Sequence, residues 1–283
     1  MSVDVAGLRP TVHYDGGPDG RVVVADSLSY FEHEPWTNDV TVGASFAGAP
    51  TAAICMRQGA KAWIAHEGGP GKDEAGISGL ALAQQFGIPA AAIATKEARL
   101  SGGRSLLTGH VSHANDAAKA LGVRPGQTGD EAARLMLKAP PGKPRDFSGI
   151  IDEETHEMAS TPQGKVYACW SFSRVNEPHP DDVFCVASHG AKIMALYALR
   201  IAPKGLICND AGRGLDDSGI EGLGVLEQHG IAAAAVSTDS ARIGDALSTF
   251  NDGVISAANA IAQRKGVREG MKASEAARLM LGA

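Results

Sequence analysis

A chain of 283 residues with 44% hydrophobic and 20% charged side chains can bury a sizeable core, as one large domain or two smaller ones. A formal charge of −6, no Lys/Arg run and only 5% aromatics argue against a nucleic-acid groove. The start MSVDVAGLRPTVHYDGG lacks the basic-then-apolar order of a signal peptide, and no apolar run approaches the ~18 residues of a membrane span, so a cytoplasmic protein is expected.

In chain order, VVVAD (22–26) is the first apolar strand, with His13 at its edge, and VTVGA (40–44) is the second. APTAAICMRQG (49–59) reads as a helix and KAWIAH (61–66) as a third strand. A Gly-rich loop, HEGGPGKDEAG (66–76), leads into the helix ISGLALAQQFG (77–87), where Gly87 takes the C-terminal glycine position. The strand IPAAAIAT (88–95) and the loop TKEARLSGGRS (95–105) follow, then closing helices that end on EAARLML (131–137). After the Pro/Gly-rich KAPPGKPRDFSGI the series restarts. Its members are VYACW (166–170), VFCVA (183–187), AKIMALYALR (191–200), KGLICN (204–209), NDAGRGLDDSG (209–219), IEGLGVLEQHG (220–230) and IAAAAVST (231–238). The loop TDSARIGDALS (238–248) and a second EAARLML (275–281) complete it.

The restart is a tandem duplication. Residues 73–99 align with 216–242 at an offset of 143, DVTVGAS (39–45) aligns with DVFCVAS (182–188), and His13 aligns with His156. The repeats are 1–138 and 153–283, joined by a linker at 139–152. Apolar strands alternating with amphipathic helices predict an α/β fold. Each repeat is a Rossmann-like parallel β/α unit, and a pseudo-twofold axis relates the halves.

Open α/β sheets bind ligands at the carboxyl ends of their strands, which selects a few loops. After the second strands come Ser45-Phe46 and Ser188-His189, with Ser188 and His189 as substrate contacts. After the third come Glu67 and Asp210, candidates for proton transfer or for a divalent metal such as Mg²⁺, with Asp216 as a further metal ligand. Asp73/Asp216 and Glu74/Asp217 equally suit capping of the next helix. His66 and Lys72 are candidate acid/base groups. Arg99, Arg242 and Arg213 could anchor an anion; the other reading of Arg99 and Arg242 is structural, tying down their own loop or contacting the opposite half. HVSH (110–113) could set two imidazoles on one helix face, at the surface. His13 and His156 are expected to pack, and Cys55, Cys169, Cys185 and Cys208 to be buried thiols. No P-loop, dinucleotide fingerprint or GxSxG elbow occurs, so no nucleotide cofactor is expected.

The run from DVFCVAS through KGLICNDAGRGLDDSG to GIAAAAVST resembles the strand–helix–strand–Gly-loop–Arg-x-x-Asp–strand order of RraA-like proteins and the class II aldolases of that fold. That resemblance implies Arg213 with Asp216 or Asp217 at a substrate and divalent-metal site. It covers about 60 residues of one repeat. In the family Arg is followed directly by Asp and there is no duplication, so it implies shared architecture. The expected function is an enzyme for a small, polar, anionic metabolite in a cleft between the halves, with hydrolase or lyase chemistry and possible metal assistance. The alternative is a non-catalytic ligand-binding or regulatory module. A small-molecule substrate and a homo-oligomer are expected, without nucleic acid or membrane.

Overall fold

The computed structural model describes residues 9–282. The first repeat forms a six-stranded sheet of β1 (Thr11–Asp15), β2 (Arg21–Ala25), β3 (Asp39–Phe46), β4 (Ala62–His66), β5 (Ala90–Ile93) and β6 (Val111–Ala114), in that spatial order. β2 to β5 are parallel, while β1 and β6 are antiparallel edges. The second repeat matches it strand for strand: β7 (Thr155–Thr161), β8 (Gly164–Cys169), β9 (Val183–His189), β10 (Gly205–Asn209), β11 (Ala232–Val236) and β12 (Ile255–Ala258), again with antiparallel edges. The fold is α/β in two similar halves. One expectation changes: Val111–His113 of HVSH lie in the edge strand β6, with His110 just before it, and not in a helix. Val111 is buried there and His113 exposed, and the helix begins only at Asp116, capped by the side-chain oxygen of Asn115.

Both faces of each sheet are covered, because alternate strand residues point to opposite sides. In the first half Val23, Trp63 and Ala90 pack on α1 (Ala49–Arg57) and α2 (Ser78–Gln85). Val22, Val42 and Ile64 pack on the other face, against α3 (Ser105–Thr108), α4 (Asp116–Ala120) and α5 (Gly129–Met136). In the second half α6 (Lys192–Ile201) and α7 (Glu221–Gln228) cover Phe184, Leu206 and Ala233. The opposite face carries α8 (Ala246–Asn251), α9 (Ala260–Arg264) and α10 (Ala273–Leu281).

The repeated heptapeptide lies in α5 and α10 and buries the same residues in both: Ala132, Ala133 and Met136, then Ala276, Ala277 and Met280. A capping box starts α5, with the Thr128 hydroxyl accepting from Glu131 N–H and the Glu131 carboxylate from Thr128 N–H. The linker has no regular structure but docks on the first half: Gly142 N–H donates to Thr37 O at 2.7 Å, and Phe147 is buried beside Phe86. All four cysteines are free and buried. Among the described residues no helix is long and apolar enough to cross a membrane.

Candidate functional site

The halves meet through the loops at the carboxyl ends of their strands, and the contacts are reciprocal. A methyl group built on Gly69 would lie 2.9 Å from the Gly212 Cα, and one on Gly212 would lie 2.9 Å from the Gly69 Cα. Thr238 crowds Gly69 as Thr95 crowds Gly212. Arg99 pairs with Asp216, and Arg242 pairs with Asp73, its counterpart at the 143-residue offset. Contacts in which i meets j′ while j meets i′ define an isologous interface, here within one chain.

Behind this interface the third and fourth strand loops are tied together identically in both halves, by unlike residues. His66 is fully buried; its Nδ1 accepts from Gly68 N–H at 2.9 Å, so Nε2 carries the proton and faces the carbonyls of Thr95 and Ala98 at 3.2 and 3.0 Å. Asn209 repeats the pattern, accepting from Ala211 N–H at 2.9 Å and donating to Ala241 O at 3.1 Å. Burial pushes the His66 imidazole down to about 4, so it is neutral at neutral pH. Glu67 accepts from the Thr95 N–H and hydroxyl, and Asp210 accepts from Thr238 N–H and Gly212 N–H. The remaining carboxylate oxygen meets His113 in one half (3.0 Å) and the Ser256 hydroxyl in the other (2.8 Å). Burial alone would raise the Glu67 carboxyl, but hydrogen bonds from Thr95 and Ser112 and the nearby His113 outweigh it and hold it below the ordinary range.

The cationic candidates also have protein partners. Arg99 holds Asp216 and Glu221 at 2.9 and 2.8 Å, Arg242 holds Asp73 at 2.7 Å, and Lys72 pairs with Asp252 at 2.9 Å. Arg213 donates to Ser256 O and sits 3.6 Å from Asp217, within its own half. The acidic pairs do not cap α2 and α7, whose N-caps, Ile77 and Ile220, make no side-chain cap bond. Asp73, Glu74, Asp216 and Asp217 all have left-handed backbone in the turn before the helix, which carries Asp73 and Asp216 across to the other half. Arg99→Lys and Arg242→Lys are each expected to cost under ~1 kcal/mol, because both pairs are substantially solvated. The check is the melting temperature: a small drop at low salt that fades at high salt.

Glu67, Asp210 and Asp216 do not converge on one point. Among the described residues the one grouping of three metal-ligand side chains is Asp152, Glu154 and His156, on the surface around the start of β7. The strand registers make Thr11, not His13, the counterpart of His156. His13 is an exposed bulge residue of β1 that pairs with Asp130 at 2.9 Å, and His156 pairs with Asp152, so neither packs in the core as expected.

Two of the predicted contacts, Ser188 and His189, line a narrow cavity between the halves of about 50 Å3, partly open to solvent. Its wall is made of matched residues: Ser27 and Ser29 with Ser171 and Ser173, and Ser45 with Ser188. It therefore straddles the pseudo-twofold axis. Each serine pair begins a short 3-10 turn after β2 or β8, and Ser27 and Ser171 cap those turns. Ser45 is engaged, accepting from Leu28 N–H at 2.9 Å; the Ser188 hydroxyl has no hydrogen-bond partner among the described residues.

The symmetry is broken where Phe46 is matched by His189 and Ile54 by Tyr197. His189 Nδ1 accepts from Ala191 N–H at 3.3 Å, which leaves the proton on Nε2 with no acceptor among the described residues. Burial pushes this imidazole down to about 3, so it too is neutral. Trp170, 5% exposed, lines the same cavity, and its Nε1 is a buried donor without a partner. No Asp, Glu, Lys or Arg lines the cavity.

The serine turns, Trp170 and Tyr197 were not picked out in the sequence, although SLS (27–29) and SFS (171–173) recur directly after the first strand of each repeat. Compared with protein-family models, curated proteins and solved structures, the chain matches none, so the reading of this cavity rests on its own residues.

Proposed function

We propose that the protein binds a small, uncharged, oxygen-rich molecule in the axial cavity. One observation carries this reading: the buried Trp170 Nε1 lacks an acceptor in a hydroxyl-rich cavity, and His189, 8% exposed, presents an Nε2 N–H there that has no partner among the described residues. Buried donors without partners are costly, and a ligand carbonyl or hydroxyl oxygen would satisfy them. An anion would enter a wall with no compensating charge, which burial penalises. The four buried free cysteines fit a reducing compartment such as the cytoplasm.

The test is native mass spectrometry of the protein incubated with neutral and with anionic metabolite fractions, followed by affinity measurements on Trp170→Phe and His189→Phe. Neutral compounds should be retained, and each variant should weaken binding by about tenfold, the loss of one buried hydrogen bond to ligand. Retention of anions alone, or affinity unchanged in both variants, rejects the reading.

Hydrolase or lyase chemistry in the same cavity is the second reading, supported by the unengaged Ser188 hydroxyl. As a base for Ser188, His189 would have to exchange tautomer, since its Nε2 already carries the proton. Turnover of a retained compound that disappears in Ser188→Ala would decide for catalysis.

A further inference from the structure

A second cavity shares a turn with the axial one and has the opposite electrostatic character. Ser29 lines the first cavity, while the adjacent Tyr30 lines the second with Arg9, Arg99, Arg104, Asp26 and Ser105. This second space of about 430 Å3 is open to solvent. Its wall carries three guanidiniums and one carboxylate. Arg99 is committed to Asp216 and Glu221, and Asp26 accepts from Gly103 N–H at 2.7 Å. Neither Arg9 nor Arg104 pairs with a carboxylate of the described residues, so two cations face the same space. The Tyr30 hydroxyl is buried and has no partner among the described residues. Burial raises its phenol, which therefore stays protonated and available as a donor.

The arrangement is not a by-product of the repeat. By the strand registers Arg9 is matched by Glu154, and at the 143-residue offset Arg104 is matched by Leu247, so neither cation recurs in the second half.

We propose that this cavity binds a small oxyanion, a phosphate or carboxylate group, held by the guanidiniums of Arg9 and Arg104 and by a hydrogen bond from the Tyr30 hydroxyl. A guanidinium offers paired, planar donors that match two oxygens of such a group, and two of them lower the cost of bringing a doubly charged ion against the protein.

The experiment is isothermal titration of the full chain with inorganic phosphate and, separately, with citrate, at constant ionic strength against a chloride control. Binding of phosphate alone identifies a phosphate-bearing ligand, and binding of citrate alone a carboxylate-bearing one. In Arg104→Gln, an exposed position whose change should leave the melting temperature in plain buffer unaltered, affinity should fall by about tenfold. Tyr30→Phe, which removes only the hydroxyl, should weaken binding by roughly threefold to tenfold. Heat no greater than for chloride with both anions, or equal affinity in Arg104→Gln, overturns the proposal. Trp170→Phe, which alters only the axial cavity, should leave anion binding unchanged, so the two sites stand or fall separately.

Discussion

Gly212→Ala is expected to lower the melting temperature by roughly 5–10 °C, and Gly69→Ala to do the same. Two costs combine at each position. Gly69 and Gly212 have φ of +56° and +66°, where a side chain is strained. The added methyl would also lie 2.9 Å from the backbone of the opposite half, with a threonine methyl at 3.0 Å. Backbone cannot swing aside as a flexible side chain can, so the halves must separate locally. A cost of about 2–3 kcal/mol follows, and for a chain of this size each kcal/mol moves the melting point by roughly 2–4 °C. Calorimetry on both variants is the check, with Gly224→Ala as a control because a methyl there meets nothing within 4 Å. If Gly212→Ala melts with the control, the halves do not meet at these glycines.

The second large effect is at His66. His66→Ala should destabilise by about 3–4 kcal/mol, because it strands the Gly68 N–H and the carbonyls of Thr95 and Ala98 and leaves a cavity. His66→Asn should cost far less, about 1 kcal/mol or under, since Asn209 makes the same two connections in the other half. Were His66 an acid or base in turnover, His66→Asn would abolish activity while keeping the fold.

The pH dependence adds an independent readout. The imidazole has its ordinary value of 6.5 when unfolded and about 4 when folded. Between these values the unfolded chain binds a proton that the native chain does not. Stability is therefore full above about pH 6.5 and declines as pH falls towards 4. His189 adds a parallel decline that extends to about pH 3. Denaturant unfolding at a series of pH values should show His66→Asn losing less stability than the parent chain over this range, by on the order of 3 kcal/mol. Equal acid sensitivity would mean that His66 is not buried neutral.

Much of the architecture is legible in the sequence, and particular residues show why. A duplicated sequence implies a duplicated fold, because equal patterns of apolar residues bury equal faces; Ala132, Ala133 and Met136 recur as Ala276, Ala277 and Met280. The parallel strands announced themselves as continuous apolar runs covered on both faces. The antiparallel edges did not. Val111–Ala114 is four residues long and half polar, and its strand character comes from pairing with β5 rather than from its own pattern. The loops at the carboxyl ends, which the sequence singles out as ligand loops, are where the halves meet in the structure, and Ser188 and His189 stand in the wall of the axial cavity.

What each polar side chain does within those loops was a tertiary decision. Sequence shows that Glu67 matches Asp210 and that His66 differs from Asn209, and it cannot say that each pair performs one task. A carboxylate becomes a loop tie or a ligand according to which donors lie within 3 Å, and those donors come from Thr95, Thr238, His113 and Ser256, far along the chain. The same holds for Arg99 and Arg242, whose partners belong to the opposite half. Trp170 reads in the sequence as an apolar residue at the end of an apolar strand; in the fold its N–H is a buried donor without an acceptor. Local sequence determines strand, helix and turn through short-range sterics and apolar periodicity, whereas hydrogen-bond satisfaction in a cavity depends on groups brought together only by folding.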